Sequence, residues 1–126
     1  MSGTKFLLDT NIVIGLIKGN EAALSLLQQH DAQPQTSGYS FITRIELLGY
    51  PALDEQEAHS VTAVLDTMQS FPMTVAIEDL TIQIRRQHAL KIPDAIIAAT
   101  AKVNNLTLLT LDQQLANRMA EILEQA

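Results

Sequence analysis

Lys5-Phe6-Leu7-Leu8-Asp9-Thr10-Asn11-Ile12-Val13-Ile14-Gly15-Leu16-Ile17-Lys18 changes character twice within one short stretch. An apolar run ends abruptly at the polar triplet Asp9-Thr10-Asn11, and an apolar, helix-like segment from Ile12 to Lys18 follows. That sequence of events reads as a buried strand, a turn and a helix. Beyond it, Asn20 can cap a second helix running to about Gln29, and 31–38 is a polar stretch with Pro34 and Gly38 that marks a loop. Thr36–Ser40 reads as a second strand, followed by a helix over Phe41–Tyr50 that stops at Pro51. Asp54 caps a longer helix, with Glu57 completing a capping-box pattern. Its apolar positions Ala58, Val61, Val64, Leu65 and Met68 keep helical spacing, and Pro72 closes it. Met73–Ile77 is expected as the third strand and Glu78 to about Ala89 as a helix, although Leu80 to Ile84 also alternates. Pro93 suits the first turn of a nearly all-apolar helix over Asp94–Val103. Leu106–Thr110 reads as a strand, and Asp112 starts the last helix. Strands alternating with helices predict an α/β fold. The expected architecture is a three-layer α/β/α sandwich with a central parallel sheet of four to five strands, in a single domain spanning 1–126.

Composition agrees with such a domain. With 47% hydrophobic residues and only 4% aromatic ones, the core must be built mainly from Leu, Ile, Val and Ala. The absence of cysteine removes disulfides, zinc–thiolate sites and thiol nucleophiles. No stretch approaches the ~20 apolar residues that span a bilayer, and Asp9 interrupts the N-terminal apolar run before a signal could form. A cytoplasmic protein with no membrane partner is the expectation. The net charge of −6 argues by itself against a general nucleic-acid binder, which would normally be basic.

The chemistry rests on four carboxylates. Ligand sites in open α/β sheets lie outside the carboxyl ends of the strands. Asp9 directly follows the first strand, and Asp112 follows the strand ending at Thr110. If those strands are neighbours they lie ~5 Å apart, so the two carboxylates can share one ion. Asp94 opens a buried helix, and Glu46 sits inside the otherwise apolar run Ile42-Thr43-Arg44-Ile45-Glu46-Leu47-Leu48. Each acid also has a plain structural reading. Asp9 and Asp112 can be helix caps, Asp94 can complement a helix dipole, and Glu46 can be the solvated residue of an amphipathic helix. Taken jointly they repel unless a cation sits among them. Carboxylates without His or Cys neighbours select hard ions such as Mg²⁺ or Mn²⁺, which suit phosphodiester hydrolysis.

Four segments carry a family resemblance: Leu7-Leu8-Asp9-Thr10-Asn11-Ile12-Val13-Ile14, Thr43-Arg44-Ile45-Glu46-Leu47-Leu48-Gly49, Pro93-Asp94 through Ala101, and Leu108-Leu109-Thr110-Leu111-Asp112. In order and spacing they resemble the signature segments of PIN-domain proteins, most closely the VapC-type ribonuclease toxins of toxin–antitoxin pairs. The resemblance implies a Mg²⁺- or Mn²⁺-dependent endoribonuclease with a five-stranded parallel sheet. Asp9, Glu46, Asp94 and Asp112 would be its catalytic metal ligands, activating a water against an RNA phosphodiester. It also implies Asn11 and Thr110 as neighbouring groups that orient water or carboxylates, although turn formation and helix capping are equally open to them. A small antitoxin protein and a homodimeric assembly are the implied partners. The end of the chain departs from the pattern, because 118–126 reads as helix throughout, which puts the fifth strand in question and with it any partner surface built on that edge.

Arg44, Arg85, Arg86 and Lys91 are the candidates for a basic rim that holds RNA while a bound metal offsets the acidic centre. Ordinary solvated charges are the plain alternative for each of them. With so few cations, binding is expected to be weak and salt-sensitive. The apolar helices after Asp9 and over 41–50 suggest a groove for an antitoxin peptide. His30, His59 and His88 share no spacing suited to catalysis, and no glycine-rich phosphate loop or serine-hydrolase elbow is present. Two rival readings remain: a catalytically silent binding module of the same fold, and an aspartate-based phosphotransferase. The second ranks low, since Asn11 stands where such enzymes place a second Asp.

Overall fold

The computed structural model of the protein describes residues 3–125. Strands β1 (Phe6–Leu8), β2 (Ser37–Ser40), β3 (Gln69–Phe71) and β4 (Thr107–Leu109) form one sheet in the order β3-β2-β1-β4. All three neighbouring pairs are parallel. Seven helices surround them: α1 (Thr10–Lys18), α2 (Glu21–Gln29), α3 (Phe41–Leu48), α4 (Glu55–Leu65), α5 (Val75–Gln87), α6 (Ile92–Val103) and α7 (Gln113–Glu124). The order is that of a three-layer α/β/α sandwich with four strands.

Alternation along β1 creates the layers. Leu7 joins one apolar cluster with Ile77 and Ile84 of α5, Ile97 and Ala98 of α6, and Leu115 and Met119 of α7. Leu8, the next residue, joins the other with Ile12 and Val13 of α1, Leu27 of α2, Leu47 of α3 and Val61 of α4. Successive side chains of a strand point to opposite faces, so one apolar run serves two cores. Tyr39 lies with the Leu8 cluster. At Gly38 the Phe71 ring closes over the strand, and a Cβ there would overlap that ring and come within 2.9 Å of the Gln69 carbonyl. Glycine is what permits that approach.

Helix ends follow their sequence signals. The Asn20 side chain accepts from the Ala23 N–H at 3.0 Å, and Asp54 and Glu57 form a reciprocal capping box. Gly19, at φ 69°, ends α1 in the left-handed region that glycine enters freely.

Three expectations are corrected. The third strand lies at Gln69–Phe71 rather than Met73–Ile77, and α5 already begins at Val75. The β-branched residues there favour a strand, but the Thr74 hydroxyl accepts from the Ile77 N–H at 3.2 Å and starts a helix. Consequently α5 begins three residues before the expected Glu78, and the alternation from Leu80 to Ile84 lies inside it. The preceding helix ends at Leu65, well short of Pro72, because Thr67 and Met68 turn back onto Val64 and Leu65. No fifth strand follows α7 among the described residues. Its end is pinned instead by the Lys102 ammonium, which donates to the Ile122 and Gln125 carbonyls at 2.9 and 3.1 Å. Among the described residues no helix is long and apolar enough to cross a membrane.

Candidate active site

The register of β1 and β4 builds the centre of the site. Phe6 lies beside Thr107, Leu7 beside Leu108 and Leu8 beside Leu109. The next step along both strands therefore brings Asp9 level with Thr110, and the Asp9 N–H donates to the Leu109 carbonyl at 2.9 Å. Asp9 caps α1, its Oδ1 accepting from the Thr10 N–H at 2.8 Å, while Oδ2 accepts from the Thr110 hydroxyl at 2.7 Å. Thr110 Oγ1 in turn accepts from the Asp112 N–H at 3.0 Å and from Asn11 Nδ2 at 3.4 Å. Asn11 Oδ1 closes the circuit by accepting from the Leu111 N–H at 3.2 Å. One hydroxyl thus ties two strand ends to one carboxylate.

Glu46 arrives from α3, which starts where β2 ends at Ser40. Its Oε1 accepts from the Thr10 hydroxyl at 2.8 Å. Thr10 Oγ1 also lies 2.9 Å from Thr43 Oγ1. A hydroxyl has one proton, so with Thr10 donating to the carboxylate, Thr43 is the donor to Thr10. Thr43 is fully buried, and this places a fixed relay behind Glu46. Neither threonine was assigned a role from the sequence. The available signal was spacing, since Thr43 and Glu46 stand three residues apart on one helix face.

Asp94 lies in the first turn of α6, half-buried, and accepts no side-chain hydrogen bond from the described residues. Burial raises its pKa first, and the charges of Asp9, Asp112 and Glu46 raise it further; only Lys91 acts the other way. That single carboxylate feels all three of the others. Asp9 is also raised, by burial above all and by Asp112, against the hydrogen bonds from Thr110 and Thr10. Asp112 caps α7, Oδ1 accepting from the Gln114 and Leu115 N–H groups at 3.0 and 3.2 Å.

The structure thus places the four sequence-predicted acids in one neighbourhood at the carboxyl edge of the sheet. Among the described residues, however, no group of three or more acids or histidines is gathered tightly enough to hold a metal ion. Glu46 is turned toward Thr10, and an oxygen of Asp112 serves its helix. The donor set itself, all hard oxygen with no cysteine in the chain, fits Mg²⁺ or Mn²⁺. Of the basic candidates, Lys91 is the N-cap residue of α6 beside Asp94, Arg85 and Arg86 stand in the last turn of α5, and Arg44 is exposed on α3.

The raised acids give a stability prediction. A carboxylate whose folded pKa lies above the 3.8 of its unfolded state favours folding most below 3.8, and that advantage is lost as pH rises through the folded value. Metal-free protein should therefore lose the stability due to Asp9 and Asp94 as pH rises through that window. Asp94→Asn should flatten the trend and leave the neutral-pH protein as stable or more so, read by urea denaturation from acid to neutral pH. A loss of about 1 kcal/mol in Asp94→Ala, unaffected by metal, would instead assign Asp94 a plain role at the helix start.

The fold has close parallels among solved structures. A toxin–antitoxin complex from Klebsiella pneumoniae contains a chain 31% identical, with 87% of this chain and 88% of that one covered at a TM-score of 0.75. FitAcB from Neisseria gonorrhoeae is 25% identical, with 91% and 93% covered at 0.73. DNA-bound VapBC from Salmonella typhimurium shares the fold at 23% identity, with 92% of each chain covered and a TM-score of 0.78. No curated protein matches the chain in sequence. The pattern that defines the PIN domain matches residues 6–121, nearly the whole length, and the chain belongs to that family.

Proposed function

We propose that the protein is a Mg²⁺- or Mn²⁺-dependent endoribonuclease and the toxin of a toxin–antitoxin pair. The observation that carries the reading is Asp94, whose carboxylate is held above its usual range by burial and by the charges of Asp9, Asp112 and Glu46. Like charges drawn together from four separate segments are unfavourable without a counter-charge. A divalent cation among them would supply the charge that stabilises a leaving oxygen and lower the pKa of an attacking water. Asp9, Glu46, Asp94 and Asp112 would hold it. Thr110 keeps the Asp9 carboxylate oriented, and Thr10 does the same for Glu46. RNA as substrate comes from the family resemblance. The partner reading draws on the toxin–antitoxin complex from Klebsiella pneumoniae. Ile14 on α1, with Ile45 and Tyr50 on and just after α3, is exposed apolar surface that a small antitoxin would cover. A homodimer is part of the same proposal.

The test is cleavage mapping on total cellular RNA with Mn²⁺ or Mg²⁺, which chelator should abolish. Absence of metal-dependent cleavage under any of these conditions would favour the catalytically silent module. Thr10→Val should lower Mn²⁺ affinity by about 10- to 100-fold, the usual cost of removing a group that orients a ligand. Thr10→Ser should restore it. Equal affinity for all three proteins in a calorimetric titration would leave the Thr10 hydroxyl a merely structural role.

A further inference from the structure

We propose that the groove between the last turn of α5 and the start of α6 grips the RNA strand as it leads to the carboxylates, an inference that rests on the ribonuclease reading. Thr81 and Leu90 form its buried floor, Ile82 and Ile92 its exposed apolar walls, and Arg85, Arg86 and Lys91 its rim. Among the described residues no carboxylate lines it. A chain with 14 acidic and only 8 basic residues thus places three of its cations along one groove.

The groove reaches the site through Lys91, the N-cap residue of the helix whose first turn carries Asp94. Lys91 is its last cation and lies close enough to Asp94 to favour that residue's charged form. Arg85 donates from Nη1 to the Leu90 carbonyl at 2.7 Å, which fixes the turn between the two helices. Arg86 and Lys91 make no ion pair among the described residues, so both charges are available. The first turn of α6, which follows Lys91, also lacks a side-chain cap, and Pro93 there carries no N–H to satisfy.

Charge and continuity favour nucleic acid over a protein partner. A row of three cations with no carboxylate among its described lining residues, ending beside the carboxylate cluster, fits a phosphate backbone. The ring in the lining, His88, has a side chain only 7% exposed, with Nδ1 3.5 Å from Glu121 Oε2, so it offers no open face on which a base can stack. The grip is therefore on phosphates, with Ile82 and Ile92 against the ribose faces, and it is tolerant of sequence.

The experiment measures binding of a short labelled polyuridine strand against salt concentration, in EDTA so that the strand stays intact, followed by cleavage kinetics with Mn²⁺. Arg86→Ala and Lys91→Ala should each reduce the slope of log affinity against log salt by about 0.7, the change expected for one lost phosphate contact on a single strand. Arg86→Ala should raise KM several-fold more than it lowers kcat, and Arg86→Lys should restore the slope. Lys18→Ala makes the same charge change outside the groove and should leave the slope unaltered. Unchanged slopes in both groove variants of a folded protein would overturn the proposal. So would unchanged slopes accompanied by loss of a co-purified small protein or of a dimer, which would mark a protein-binding surface. Wild-type protein that never cleaves, but whose slope still falls in the variants, would remove the ribonuclease reading and keep the groove as an RNA site.

Discussion

Asp9→Asn is expected to lower metal-dependent RNA cleavage by at least about 10²–10³-fold, the cost of deleting one strong electrostatic contact in an active site, while the chain stays folded. Asp9 is 5% exposed at the end of the central strand, with one oxygen on the Thr10 N–H and the other on the Thr110 hydroxyl. Asparagine retains the shape and can keep the cap through its own oxygen. It removes the bond accepted from the Thr110 hydroxyl, since an amide nitrogen donates, and it removes a charge already disfavoured by burial and by Asp112. The two act in opposite directions, so loss of activity should come with at most about 1 kcal/mol of neutral-pH stability. Asp9→Ala mixes the two effects, because it also deletes a cap worth about 1 kcal/mol. Cleavage rates at saturating Mn²⁺, taken beside melting curves for both variants, separate the contributions. Full cleavage by folded Asp9→Asn would remove Asp9 from the chemistry.

Leu7→Ala should destabilise the protein by about 2–5 kcal/mol, the range for deleting a buried leucine side chain. Leu7 is fully buried on the central strand, and its cluster includes residues of α5, α6 and α7. The urea midpoint should fall with little change in slope, since the area exposed on unfolding is nearly constant. Leu123→Ala, at a position 57% exposed on α7, should stay within about 0.5 kcal/mol of the parent. A loss below about 1 kcal/mol for Leu7→Ala would show that the helices on that face do not rely on β1.

Much of this architecture could be read from the residues because local signals and tertiary packing agree. Asn20, Asp54 and Pro93 each mark a helix start where one occurs. The exception is 66–77. Val75 and Ile77 carry strand propensity, while the true strand Gln69–Phe71 has one buried residue and is mostly polar. An edge strand of three residues gives too few alternations to announce itself. In the site, the acids were legible because an acid within an apolar run is conspicuous. Thr10 and Thr43 were not, since a hydroxyl relay depends on bringing α1 against α3, and nothing local records that distance. The basic residues show the same limit. Arg85, Arg86 and Lys91 converge, whereas Arg44, equally plausible by sequence, lies outside their groove.

The in-register pairing of β1 with β4 bears on when the proposed activity can arise. A slip of one residue would set Asp9 beside a leucine, either Leu109 or Leu111, and would turn every side chain of the slipped strand to the wrong core. The acids also come from positions 9, 46, 94 and 112, so no fragment carries the cluster. Partly made, nicked or misassembled chains should therefore be inert toward RNA. The proposed activity thereby doubles as a quality check on folding, since only the native state gathers the four acids.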